Sequence, residues 1–177
     1  YVLGVDPAKD LVKNLRNNFE IIVGDYNKPL SKKIDNKYGK FDLIIANNVI
    51  NHANSVDDFI KGIKEVMHYD SIFIFEVPYW LDLVIKKKFD QIYHEHISYF
   101  TAKFSKSILS KNKMGITKIE KTDYHGGSIR VFSKLTHDLK IKKNHRLDKM
   151  IELEENKKLF SKNYFKIFMK EINEKKF

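Results

Sequence analysis

Short apolar runs that alternate with stretches of helical spacing fill the first half of this chain, and no other feature constrains its fold as much. Tyr1–Val5, Glu20–Val23, Phe41–Ala46 and Ser71–Val77 read as strands. Between and after them lie segments that predict helices over Pro7–Asn17, Pro29–Tyr38, Ser55–Met67 and Trp80–Lys88. The first of these has Asp6 at its N-cap and Pro7 at its first position, where a missing N–H costs nothing. In the third, Val56, Phe59, Ile60, Ile63, Val66 and Met67 fall on one face. The run Phe-Asp-Leu-Ile-Ile-Ala at 41–46 is apolar without alternation, as in a strand buried on both faces of a parallel sheet. Strands and helices in this order predict right-handed βαβ units.

The second half changes character. Thr101–Lys113 predicts another helix, and Ile116–Thr122 and Ser128–Leu135 predict two strands joined closely enough to pair antiparallel. From Arg146 onward Leu147, Met150, Ile151, Phe160, Tyr164, Phe168 and Ile172 recur at helical spacing, which predicts one long helix without a core of its own. The fold class expected is α/β: a Rossmann-like parallel sheet with an antiparallel terminal strand, then a long helix. A chain that opens on Tyr1 inside an apolar strand reads as a fragment.

Composition narrows the chemistry. The 177 residues include no cysteine, which removes disulfides, thiol nucleophiles and cysteine zinc sites. No apolar run approaches the roughly 20 residues that span a bilayer, and no signal peptide is evident, so the default reading is cytoplasmic with no membrane partner. Residues 1–100 hold 13 Lys/Arg against 14 Asp/Glu, whereas residues 101–177 hold 20 against 9. A basic half suits nucleic acid or an anionic small substrate. No nucleic-acid motif accompanies it, so the reading taken is a solvated surface and no nucleic-acid partner.

In doubly wound sheets ligands bind beyond the carboxyl ends of the strands. Asp6, Asp25, Asn47, Asn48 and the segment Glu76–Tyr79 occupy those places. A carboxylate such as Asp6 can accept both hydroxyls of a ribose, and it can equally cap the following helix. Asp25 can accept an adenine amino group or belong to a turn. Tyr93-His94-Glu95-His96 is the densest polar cluster, and two imidazoles with a carboxylate also suit iron or zinc. His52 follows the third strand as a helix-start residue or a site residue. His125 precedes Gly126-Gly127, which either makes the hairpin or admits a ligand close to the backbone.

Taken in order, Gly4-Val-Asp6-Pro, Phe41-Asp-Leu-Ile-Ile, Asn48-Val-Ile-Asn-His52, Phe75-Glu-Val-Pro-Tyr79, Tyr93-His-Glu-His96, Ser98-Tyr-Phe100, His125-Gly-Gly-Ser-Ile-Arg130 and the acidic stretch Glu152–Glu155 resemble the S-adenosylmethionine-dependent C-methyltransferases that act on nucleotide-linked keto sugars. The resemblance covers nearly the whole chain. It implies a zinc-binding N-terminal domain, a class I methyltransferase domain and a C-terminal domain. This chain would then be residues 1–137 of an incomplete methyltransferase core, lacking its first strand and Gly-rich turn, and residues 138–177 leading into the C-terminal domain. Zinc would belong only to the absent N-terminal part.

The resemblance also assigns roles. His96 is the base that removes the proton α to the sugar ketone, with Tyr93 and His52 on the enolate and Glu95 orienting the group. Asp6, Asp25, Asn47 and Asn48 fall to S-adenosylmethionine, and Tyr79, His125, Gly126, Gly127, Ser128 and Arg130 to the nucleotide sugar. A histidine with an ordinary pKa near 6.5 suits that proton transfer at neutral pH. A sulfonium methyl is already electrophilic, so no metal is expected. The alternatives are another class I methyltransferase acting on a small molecule or RNA, and a non-catalytic remnant that binds nucleotide sugars.

Overall fold

A computed structural model describes residues 1–13, 19–136 and 143–174. Its elements run β1 (Leu3–Asp6), α1 (Lys9–Lys13), β2 (Glu20–Val23), α2 (Lys28–Tyr38), β3 (Phe41–Asn47), α3 (Val56–Glu65), β4 (Met67–Pro78), α4 (Trp80–Ile85), α5 (Ala102–Lys111), β5 (Met114–Thr122), β6 (Ser128–Leu135), α6 (His145–Asn156) and α7 (Lys162–Glu174). The last residues of the first expected helix, 14–17, lie outside the described residues. Side-chain caps set the helix starts. Asn27 accepts from Leu30 N–H at 2.9 Å, Ser55 from Asp58 N–H at 3.2 Å and Thr101 from Phe104 N–H at 3.0 Å, so donors that the first turn leaves orphaned are satisfied.

β1 and β2 form a parallel pair, and a four-stranded sheet runs in the order β3-β4-β6-β5. β3 and β4 are parallel. β6 runs antiparallel to both β4 and β5, so the chain's last strand lies inside the sheet, between its neighbours. The expected α/β architecture with an antiparallel terminal strand is therefore observed. β4 is central, and Phe73, Phe75 and Val77, two residues apart on one face, are fully buried. They join a core that takes in Phe59, Ile60 and Ile63 from α3 and Ile108 and Leu109 from α5.

Two expectations are corrected. The run 41–46 is not buried on both faces: Leu43 and Ile45 are 51% and 57% exposed. Side chains alternate between the faces of the strand: Ala46 belongs to the core and Ile44 packs against it, while the opposite face, with Leu43 and Ile45, is left uncovered. Leu3 and Val5 on one side and Leu43 and Ile45 on the other line an open apolar cleft instead. The C-terminal helix is also not continuous. It breaks at Lys158, whose φ of 51° is left-handed, because Leu159 turns inward to full burial and Ser161 caps the new helix by accepting from Tyr164 N–H at 3.1 Å. Nor does this segment lack a core: Leu147, Met150, Leu159 and Phe168 join the main one.

Asp57 fastens α3 to α5. Its carboxylate meets Lys61 at 2.7 Å, Lys111 at 3.2 Å and the Asn112 amide at 3.3 Å. The Lys61 contact first, then Asn112 and Lys111, hold its pKa at about 2 against an ordinary 3.8. A folded pKa below the unfolded one gives stability that is present above the unfolded value and lost as pH falls towards 2. Urea titrations of Asp57→Asn should therefore show a flatter acid limb below pH 3.8 than the parent; an unchanged limb would mean that these contacts carry no stability.

Candidate active site

The carboxyl ends of β1, β2 and β3 face one cleft of ≈ 380 Å³, whose lining includes Asp25, His52, Asn54, Ser55 and Asp58. Asp6 sits between Val5 and Pro7, which both border it. Asp6 Oδ1 accepts from Ala8 N–H at 2.7 Å, a turn that leads into α1 rather than the expected N-cap, since α1 begins at Lys9 and Pro7 lies outside it. Asn47 ends β3 and is exposed, and Asn48 follows it with φ 52°, its N–H donating to the Glu76 carbonyl at 2.7 Å. The residues expected to hold S-adenosylmethionine thus gather at one end of the strands. The donor set fits that group: aspartates and small polar side chains around the cleft suit ribose hydroxyls and an adenine amino group.

His52 also borders a second cluster. After α4 the chain makes a short 3-10 turn, Phe89–Gln91, and then a β-turn in which His96 N–H donates to the Tyr93 carbonyl at 3.1 Å. Ser98 N–H, donating to the Asn51 carbonyl at 3.1 Å, pins this loop to the turn after β3. The β-turn, not an extended strand, separates the two histidines: His96 is 8% exposed, whereas the His94 side chain is 90% exposed. His96 Nδ1 lies 3.0 Å from the Gln91 carbonyl and Nε2 lies 2.9 Å from the Tyr93 hydroxyl. A carbonyl only accepts, so its partner assigns the proton to Nδ1. In the neutral ring Nε2 then accepts from Tyr93. The His52 and His96 rings sit 5.0 Å apart, and His52 Nδ1 donates to the Glu95 carbonyl at 2.8 Å. Glu95 thus orients His52 through its backbone, while its carboxylate faces solvent.

The residues expected to contact the sugar nucleotide have other partners. Tyr79 is fully buried and donates to Glu154 Oε1 at 2.8 Å; burial first, then Glu154, raises its pKa. Ser128 is buried and donates to the Tyr124 carbonyl at 3.0 Å. Arg130 places Nε and Nη2 on Glu76 Oε2 at 2.8 and 2.7 Å, across the β4–β6 pair. Gly126 and Gly127 have φ of 78° and 136°, and the space beside them is taken by Lys88 and Asp82. The His125 side chain lies outside what is described. Among the described residues no cluster of three or more His, Asp or Glu side chains has the geometry of a metal site.

Glu154 is the residue the sequence reading passed over. It is fully buried and accepts from Ala102 N–H at 2.6 Å and Lys103 N–H at 3.1 Å as well as from Tyr79. The signal was present: Leu147, Met150 and Glu154 share the inward stripe of α6, so the carboxylate stands where an apolar residue belongs.

A family model described as the methyltransferase domain matches residues 1–113, and the chain belongs to that family. Its fold is that of the class I S-adenosylmethionine-dependent methyltransferases. Solved structures share it: the PH0226 protein of Pyrococcus horikoshii (TM-score 0.56, 20% identity, 76% of this chain and 71% of that one) and a possible histamine N-methyltransferase of Thermotoga maritima (0.57, 13%, 75% and 72%). A third is the magnesium protoporphyrin IX methyltransferase of Synechocystis with bound SAH (0.53, 16%, 76% and 64%). The chain is also 31% identical over 134 residues to the C-methyltransferase NovU of Streptomyces niveus, covering 75% of this chain and 32% of that relative's length. Among the described residues no helix is long and apolar enough to cross a membrane.

Proposed function

We propose that the protein is an S-adenosylmethionine-dependent C-methyltransferase that methylates a carbon next to the ketone of a nucleotide-linked keto sugar, within deoxysugar or polysaccharide biosynthesis. One observation carries this reading: His52 borders the cleft at the strand ends and its ring also lies 5.0 Å from that of His96, so a methyl donor and a proton acceptor share a wall. The likeness to a relative named as a C-methyltransferase supports it.

Methylating carbon beside a ketone requires the loss of an α proton and a stabilised enolate. His96 Nε2 takes that proton, and its Nδ1–H stays on the Gln91 carbonyl, which steadies the imidazolium that forms. For this the Tyr93 hydroxyl leaves Nε2 and donates to the ketone oxygen, so one side-chain movement frees the base and supplies the enolate donor. His52 has its Nδ1–H on the Glu95 carbonyl, so it donates to the enolate only as the imidazolium. S-Adenosylmethionine, when bound, supplies the sulfonium methyl that the enolate carbon captures. Asp6 accepts from its ribose hydroxyls.

The test is to incubate the full-length protein with S-adenosylmethionine and a nucleoside-diphosphate keto sugar in deuterium oxide. Deuterium at the α carbon and a new C-methyl group are the expected products. Methyl transfer to RNA or to a heteroatom, with neither product formed, overturns the reading. Asp6→Asn retains a side chain that can accept from Ala8 N–H but removes the charged acceptor. Calorimetry should show S-adenosylmethionine binding weakened about tenfold or more, and an unchanged affinity would reduce Asp6 to a turn residue.

A further inference from the structure

Three ammonium groups gather around the Gly126-Gly127 turn that joins β5 to β6, two of them on one buried carboxylate. Asp82 Oδ1 lies 2.7 Å from Lys121 Nζ, and Oδ2 lies 3.5 Å from Lys86 Nζ. Lys86 also donates to the Gly126 carbonyl at 2.8 Å. The end of the Lys88 side chain rests against Gly126, and no carboxylate among the described residues pairs with it. Both glycines have positive φ, and a Cβ at Gly127 would stand 2.6 Å from Asp82 Oδ2. The Gly-Gly pair therefore exists to let Asp82 and Lys88 come in over the turn.

Neutralising Asp82 takes one lysine. Three leave two positive charges in excess, gathered at the carboxyl end of β4, where the Gly127 carbonyl accepts from Tyr79 N–H at 3.0 Å. The side chains of Lys86 and Lys121 are 46% and 44% exposed, so their ammonium groups reach solvent. Lys87, by contrast, turns away with φ 55° to pair with Glu171 at 3.2 Å. The seat is also tied to the imidazole: Gln91 N–H donates to the Lys88 carbonyl at 3.2 Å, and the Gln91 carbonyl holds His96 Nδ1.

We infer that Lys86, Lys88 and Lys121 form an anion seat that takes the diphosphate of the substrate, with Asp82 spacing the ammonium groups. Naming the anion as a diphosphate rests on the nucleotide-linked substrate proposed above. A diphosphate held there leaves the sugar to extend towards His96, so the seat sets which end of the substrate enters first.

Lys88→Gln is the variant of choice, because it leaves both ion pairs of Asp82 in place. Calorimetry on the full-length protein, with inorganic pyrophosphate and with thymidine diphosphate as probes, should show both weakened about tenfold. The difference should shrink as salt rises, Lys88→Arg should restore it, and S-adenosylmethionine affinity should not change. Equal affinity of parent and Lys88→Gln for both probes overturns the seat, and so does pyrophosphate failing to compete with thymidine diphosphate. The outcomes separate the two ideas. Probes that bind through Lys88 in a protein that methylates no keto sugar sustain the seat and sink the proposed reaction. A keto sugar methylated with the same KM by parent and Lys88→Gln does the reverse.

Discussion

His96→Asn should abolish deuterium exchange at the α carbon of the keto sugar and lower methyl transfer by ~100- to 10,000-fold, the usual cost of deleting a general base. The Asn amide can still donate to the Gln91 carbonyl, which now takes Nδ1–H at 3.0 Å, so the loop keeps its anchor. What disappears is the basic nitrogen that faces Tyr93. S-Adenosylmethionine binding should survive, because His96 does not line the cleft at the ends of β1–β3. His94→Asn is the internal control: its side chain is in solvent on the far side of the turn, and activity should stay near that of the parent. Loss of exchange in His94→Asn with exchange retained in His96→Asn reverses the assignment.

Glu154→Ala should be strongly destabilising. The fully buried carboxylate satisfies the Tyr79 hydroxyl and the Ala102 and Lys103 N–H groups at once. Those N–H groups belong to the first turn of α5, where a negative charge also opposes the helix dipole. Removing it strands the Tyr79 hydroxyl and at least one buried backbone donor at roughly 1–3 kcal/mol each, and leaves a cavity besides. The expected loss is about 4 kcal/mol, against a total of about 5–15 for a typical domain, with Tm falling by about 10 °C. Glu154→Gln keeps an acceptor for Ala102 and Tyr79 and should lose roughly half as much. Denaturant titration decides the matter: a cost under about 1 kcal/mol for Glu154→Ala would falsify the buried-anchor account.

The alternation of strand and helix was legible because apolar runs are bounded by residues that stop them, such as Gly24, Asn47 or Pro78, and α2, α3, α5 and α6 begin at side chains that cap them, Asn27, Ser55, Thr101 and Asn144. The break between α6 and α7 was not. Lys158 is a non-glycine residue in the left-handed region, and only the burial of Leu159 drives the chain there. In the site, the division of labour between His94 and His96 was not readable from their spacing, since residues two apart on an extended segment share a face and it is the turn that parts them. Nor was the part Glu95 plays, since a backbone carbonyl has no residue type. Tyr79, Ser128 and Arg130 show the limit of a motif, which marks a position but not what it touches. All three spend their polar atoms on neighbouring parts of the chain. Asp82 and Lys86 are a legible pair four residues apart, but Lys121 reaches the same carboxylate from β5 with no pattern in sequence to announce it.

The open side of β3 has a consequence for how this protein behaves in concentrated solution. A strand edge with unpaired N–H and C=O groups is a template for another strand, and sheets ordinarily guard such edges with proline, bulges or inward-pointing charge. Here the edge carries Leu43 and Ile45 at half exposure, with only Asp42 as a charged neighbour within the strand. Its β-branched and γ-branched side chains are those that intermolecular sheets favour. For these 177 residues taken by themselves, this seam favours strand-to-strand association. Substitutions that enclose it favour the monomer, and those that pry it wider lead towards amyloid-like association, whatever they do to the histidine loop on the other side of the sheet's end.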